Sequence, residues 1–188
     1  MEERLRKALA RRRKRHIHCP ERVRSAVLVP LFCREEQCHV LLTRRTQGVK
    51  HHKGQIAFPG GVYQAEDGTA LNTALRECGE EIGVRREDAE ILGELDDVIT
   101  TTSNYIISPF VARIPWPYRF QLNGEETEEL IPVPLSAFQD GANVRPEDEI
   151  IDGEKVASLT YHYRGNVIWG ATARILTQLL GIIRGAES

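Results

Sequence analysis

The chain has 188 residues, which suits one domain, or one domain with terminal additions. Its 41% hydrophobic and 28% charged residues are ordinary for a globular protein, and no apolar run approaches the roughly 18 residues that crossing a bilayer requires. The net charge of −2 hides an imbalance: residues 1–24 hold ten Lys or Arg against three Glu, and the remainder carries −9.

Residues 3–15 predict a helical arm, ended before Pro20, with Leu5, Ala8 and Leu9 as its apolar stripe. The basic block 11–15 could contact nucleic acid or an anionic surface. No aromatic residue accompanies the arginines, so a solvated helix is the better reading and nucleic acid is not an expected partner. The arm lacks the continuous apolar stretch of a secretory signal, and Glu2 and Glu3 argue against a mitochondrial presequence. A cytoplasmic protein with no membrane partner is expected.

Residues 25–32 and 38–45 read as two strands of a hairpin, being apolar and β-branched around a short charged turn. A short strand over 54–58 runs into Pro59-Gly60-Gly61. Residues 69–82 predict a helix with Gly83 as its C-cap. Strands are expected over 89–100 and 105–114, then 130–134 with a brief helix at 135–139. A strand pair, 157–163 and 166–167, precedes a closing helix from about 169 to 184. Strands interleaved with two substantial helices predict an α+β fold, an α/β/α sandwich around a mixed sheet. Cys19, Cys33, Cys38 and Cys78 contain no C-x2-C pair. Free thiols are expected, rather than a zinc site.

The helix at 69–82 carries a core stripe of Leu71, Ala74, Leu75, Cys78 and Ile82. Glu77, Glu80 and Glu81 fall on another face at i, i+3 and i+4. Each like-charged pair costs an isolated helix about 0.2–0.5 kcal/mol, and Gly79 among them adds about 1 kcal/mol relative to alanine. Local stability gives no reason for this cluster. A divalent cation does, since Mg²⁺ and Mn²⁺ prefer carboxylate oxygens; the competing reading is a solvated acidic face.

The surrounding residues favour the cation. From Gly61 to Val84 the chain resembles the Nudix box, G-x5-E-x7-R-E-U-x-E-E-x-G-U, where U is bulky and apolar. Arg76, Glu77, Glu80, Glu81, Gly83 and Val84 match, with Cys78 at the first apolar position. The front half departs: Asp67 stands for the first glutamate, and eight residues separate it from Arg76 rather than seven. This departure resembles the Nudix coenzyme A pyrophosphatases. So does LLTRRTQGVKHHKGQ at 41–55, which matches that subfamily's L-L-T-x-R-S-x-x-L-R-x-H-x-G-Q at Leu41, Leu42, Thr43, Arg45, His52, Gly54 and Gln55. Lys50 replaces an arginine there, keeping charge but losing two-pronged geometry.

The resemblance implies a Nudix domain over 25–188, preceded by the basic arm at 1–24. It also implies metal-dependent hydrolysis of a nucleoside diphosphate derivative, with Mg²⁺ or Mn²⁺ held by Glu77 and Glu81, and Glu80 as a third ligand. Arg76 would orient a helix glutamate. Glu126, on an acidic loop, is a candidate general base or extra ligand; Glu77 and Glu80 are further catalytic candidates. Arg45, Lys50, His52, Gly60 and Gly61 are candidate substrate contacts. The expected substrate is coenzyme A or acyl-coenzyme A. ADP-ribose or another nucleoside diphosphate derivative is the alternative, and a module binding nucleotide or RNA without turnover is a third. Related folds are commonly dimers, although nothing here specifies a homodimer interface.

Overall fold

The computed structural model describes residues 1–35, 37–48 and 53–187. In chain order the elements are α1 (Glu2–Arg11), β1 (Val23–Arg34), β2 (Gln37–Arg45), β3 (Ile56–Ala57), β4 (Gly60–Val62), α2 (Ala70–Ile82), β5 (Glu90–Glu94), β6 (Val98–Ile99), β7 (Tyr105–Arg113), β8 (Thr127–Pro134), β9 (Val144–Ile151), β10 (Glu154–Tyr163), β11 (Asn166–Ile168) and α3 (Gly170–Glu187).

Among the described residues, eight strands form one mixed sheet along the path β3-β2-β1-β7-β5, with β4 on β1, β6 on β7 and β8 on β2. The β1–β7 pairing is parallel, from Val23 opposite Tyr105 to Leu31 opposite Arg113. The period-2 alternation of a strand divides β1 between two cores. Ala26, Leu28 and Phe32 pack with Ala74, Leu75, Cys78 and Ile82 of α2. Val29 and Leu31 pack with Leu176, Leu179 and Ile183 of α3 and with Leu5 and Leu9 of α1. A strand covered on both faces must be apolar throughout, which is why 25–32 shows no polar alternation. Each buried Val, Leu or Phe side chain contributes roughly 1.5–3 kcal/mol. The expected α+β sandwich is the fold observed. A second, antiparallel sheet, β11-β10-β9, leans on α3, where Tyr161 and Thr177 hydrogen-bond through their hydroxyls at 2.8 Å.

Four expectations need correction. Cys33 and Cys38 are a disulfide, not free thiols; the hairpin register sets them directly opposite, with Cα atoms 4.0 Å apart. The helix expected to reach residue 15 stops at Arg11, and it is packed rather than solvated, with Leu5 and Leu9 buried. The strand expected over 89–100 is two strands, β5 and β6. Between them Asp96 and Asp97 hold the arm: Asp96 accepts from Arg12 at 2.7 Å and the Arg15 amide at 2.9 Å, while Asp97 accepts from the Ile17 amide at 3.0 Å and lies 3.1 Å from the Lys14 ammonium. Strand β9 was not expected, because its central residues are exposed and mostly charged, so no apolar alternation marks it.

Candidate active site

The site is assembled around α2. Thr69 caps its N-terminus by accepting from the Asn72 amide at 3.1 Å, and Gly83 closes it in the left-handed conformation at φ 75°. A Cβ at Gly83 would also stand 2.8 Å from Gln121, so glycine is required there twice over.

Asp67 ends a 3-10 turn, Ala65–Asp67, just before α2. Its side chain is 6% exposed and meets Arg76 in a fork, Nε to Oδ1 at 2.8 Å and Nη2 to Oδ2 at 3.0 Å. It also accepts from the Gln64 amide at 3.0 Å and from Thr73 Oγ1 at 2.8 Å. Arg76 holds this carboxyl well below the usual carboxylate range. The same guanidinium donates to Glu77 Oε1 at 2.9 Å, to Glu80 Oε2 at 3.0 Å and to the Val62 carbonyl at 3.2 Å. One arginine therefore ties the turn, the helix acids and β4 into a single unit.

The glycines of β4 let the strand come this close. A Cβ on Gly60 would lie 2.3 Å from the Ala26 carbonyl, and one on Gly61 2.3–2.5 Å from the Glu77 carboxylate. Glu81 lies deeper, with its side chain 3% exposed and its Oε1 3.6 Å from Arg45 Nη1. Burial pushes its carboxyl up to about 8; Glu126 and Glu77 push the same way, while Arg45 and the Gly60 amide oppose them. Burial likewise raises Glu77, against the pull of Arg76.

Arg45 leaves β2 at a bulge in its pairing with β8, which turns the side chain toward the helix acids. Its Nε is buried without a hydrogen-bond partner among the described residues. The next residue, Thr46, fixes the acidic loop: its amide donates to the Glu126 carbonyl at 2.9 Å and its Oγ1 to the Glu125 carbonyl at 2.7 Å. Glu126 is half-buried, whereas Glu125, Glu128 and Glu129 are exposed, so the loop is not uniformly solvated.

A cleft of about 470 Å³ opens here. Arg45, Gly60, Gly61, Glu77 and Glu126 all line it, together with Gln55. Arg76 and Glu81 stand behind that wall. Glu80 is not part of the lining; its side chain is 58% exposed and bonded to Arg76. Lys50 and His52 lie outside the described residues. Trp169 and the Thr/Ser-rich turn at 100–103, to which the sequence assigns no role, line the same cleft, whereas Asp67 does not line it and bears on it through Arg76. A lone tryptophan at the start of an expected helix was the available signal.

A mixed sheet between helices, with an arginine-braced acidic helix behind a glycine strand, defines a Nudix domain. The NUDIX domain family model matches residues 22–153, so the chain belongs to the Nudix hydrolase family. It is 34% identical over 155 residues to an uncharacterized Nudix hydrolase, NudL, from Photorhabdus laumondii, covering 82% of each chain. It is 35% identical over 156 residues to NudL from Yersinia pestis, covering 83% of this chain and 77% of the relative. Among solved structures it is similar to a MutT/nudix family protein from Enterococcus faecalis, with TM-score 0.60, 17% identity, and 90% of this chain and 64% of the other covered. The Caenorhabditis elegans Ap4A hydrolase binary complex superposes with TM-score 0.51 and 19% identity, over 61% of this chain and 81% of that one.

Nudix hydrolases generally use divalent metal ions. Among the described residues no three His, Cys, Asp or Glu side chains form a ready-made cation cage. The donor chemistry nevertheless fits: Glu126 is close enough to disfavour the ionisation of both Glu77 and Glu81, Glu77 does the same to Glu81, and all three offer oxygen. Glu81 is buried and Glu77 half-buried, and a hard cation would compensate their charge.

Proposed function

We propose that this protein hydrolyses the diphosphate bond of coenzyme A or acyl-coenzyme A, giving a 4′-phosphopantetheine and adenosine 3′,5′-bisphosphate. The observation that carries this reading is where the 41–55 motif leads. Arg45 and Gln55, two of its matching residues, line the cleft that also holds Glu77. The longer front half of the box also has a role, because Asp67 reaches Arg76 across the extra residue.

In this reading Glu77 and Glu81 would hold Mg²⁺ or Mn²⁺, with Glu80 as a third ligand; Arg76 engages one oxygen of Glu77 and one of Glu80 and leaves the other oxygen of each for the cation. The cation would neutralise charge on the diphosphate and make nearby water more acidic. Arg45, on the cleft wall, is a phosphate contact. Glu126 takes the proton as water adds to phosphorus; the bridging P–O bond breaks and its electron pair leaves with the departing phosphate. Lys50 and His52 extend the phosphate contact. Residues 25–188 are the catalytic unit and 1–24 a braced arm, in a protein of the cytoplasm.

A panel of coenzyme A, acetyl-coenzyme A, ADP-ribose and nucleoside triphosphates, with Mg²⁺ or Mn²⁺ and mass detection of products, tests this. Coenzyme A compounds should be cleaved fastest. Rapid cleavage of ADP-ribose with none of coenzyme A would overturn the substrate assignment and keep the chemistry. No turnover on any member would favour the binding module.

A further inference from the structure

The same cleft has a second wall that the hydrolytic residues do not use. It is built from the β6–β7 loop, residues 100–103, and from the junction of β11 with α3. At that junction Ile168 is fully buried and Gly170 turns the chain at φ 62°, which leaves Trp169 between them on the cleft, 39% exposed. Exposing a large apolar ring is unfavourable in water. Among the described residues no aromatic ring stacks on it, and it borders the open cleft.

We propose that Trp169 stacks on the purine base of the substrate, and that the 100–103 loop reads the edge of that base. This rests on the diphosphate-hydrolase reading and adds the specificity-determining residue to it. An aliphatic chain would need only apolar walls, such as those that Val27 and Ile107 supply here. The wall around Trp169 is different. Thr100, Thr101, Thr102 and Ser103 are four consecutive hydroxyl residues along it, with Thr172 beside them; Thr100 Oγ1 is already bonded to the Ser103 and Tyr105 backbone, which leaves Thr101, Thr102 and Thr172 to meet a base. Ser103 Oγ is buried without a hydrogen-bond partner among the described residues. A flat ring with donors and acceptors along its rim matches an indole face beside such a wall.

The wall is also set before any ligand arrives. The Thr100 amide donates to the Tyr105 carbonyl at 3.1 Å, and the Tyr105 amide donates to Thr100 Oγ1 at 3.0 Å. Arg174, from α3, donates to the Ile99 carbonyl and so ties the loop to the helix that follows Trp169. Little ordering is left to oppose binding.

The chain has two tryptophans, and Trp116 stacks on Phe32 away from this cleft, with ring centroids 4.2 Å apart. In a Trp116→Phe background the emission is therefore that of Trp169. Without metal, adenosine 5′-monophosphate should quench it saturably and ribose 5-phosphate should not. With the best adenine-containing diphosphate of the substrate panel, Trp169→Ala should raise KM at least tenfold while kcat falls less than threefold. Trp169→Phe, which keeps an aromatic face, should recover most of the KM. Equal quenching by the two phosphates, or an unchanged KM in a folded Trp169→Ala protein, would overturn the proposal. If Trp169→Ala does not fold, the quenching and the Phe variant decide. Quenching by the nucleotide without turnover of any diphosphate would leave the base subsite standing and remove the hydrolase reading; normal turnover without quenching would do the reverse.

Discussion

Arg76 and Asp67 stand nine positions apart in sequence and meet as a two-pronged pair, at 2.8 and 3.0 Å. The remaining guanidinium nitrogen is thereby aimed at Glu77 and Glu80. Asp67 thus acts on the cleft through Arg76, without lining it.

Asp67→Asn should remove the charge partner while nearly keeping the shape. Losing a carboxylate that orients a metal-site residue typically costs 10–100-fold in metal affinity or activity. A drop of that size in kcat/KM is expected, with a stability loss of about 1–3 kcal/mol for the buried, now mismatched hydrogen bonds. Asp67→Glu should recover part of the activity. Kinetics with chemical denaturation measure both, and wild-type kinetics in Asp67→Asn would refute the bracing role.

Gly60→Ala and Gly61→Ala should fail in different ways. The new Cβ at Gly60 meets the Ala26 backbone carbonyl, which cannot move without breaking the β1–β4 pairing. A large fall in thermal midpoint is expected. The atoms nearest a Cβ at Gly61 belong to the end of the Glu77 side chain, which can swing aside. That variant should keep most of its midpoint and lose at least a hundredfold in turnover. Equal midpoints in the two variants would contradict this contrast.

Glu81 sets a pH dependence. In the folded, metal-free protein its carboxyl is raised to about 8 from an ordinary 4.5. Between those values the folded state keeps a proton that the unfolded state has released, so this contribution to stability falls as pH rises. Thermal midpoints in chelator should decline from pH 5 to pH 8 less steeply in Glu81→Gln than in the wild type. Metal binding at pH 7 should release a proton, seen by calorimetry as a heat that depends on the buffer's ionisation enthalpy. Identical heats in two buffers and parallel midpoint curves would discard this assignment.

The cysteines can be counted directly. Alkylation in denaturant without reductant should label Cys19 and Cys78, and reduction should expose Cys33 and Cys38 as well. Mass spectrometry reads the two stages. Four labels at the first stage would mean that the hairpin is not cross-linked.

Helix α2 was legible in the sequence because its apolar stripe, its Thr69 cap and its Gly83 stop all agree. Strands β1, β2 and β7 were legible as apolar runs, since each is covered on both faces. The Asp67–Arg76 fork was not, because a 3-10 turn sets that distance through space and residue counting cannot follow a turn. The split between β5 and β6 comes from two aspartates that turn toward the arm, a contact some 80 residues away in sequence. Trp169 meets the cleft only because the second sheet returns the chain to Ile56 and Phe58, and no local pattern records that approach.

Helix α1 has a consequence for self-association. Strand β5 ends the sheet path, so its outer rim is open to strand addition. Arg6 donates to the Ile91 carbonyl at 2.9 Å and Arg12 to the Glu94 carbonyl at 3.2 Å, while Leu9 packs against Gly93. The arm is in effect a lid on the sheet border: arginine forks satisfy carbonyls that a neighbouring chain could otherwise capture. Part of its positive charge is neutralised within the molecule, with Arg6 on Glu90, Arg12 on Asp96, and Lys14 on Glu94 and Asp97. Removing the arm would bare both a sticky border and an acidic strip, leaving hydrogen-bonded polymerisation and charge repulsion to compete along the same strand.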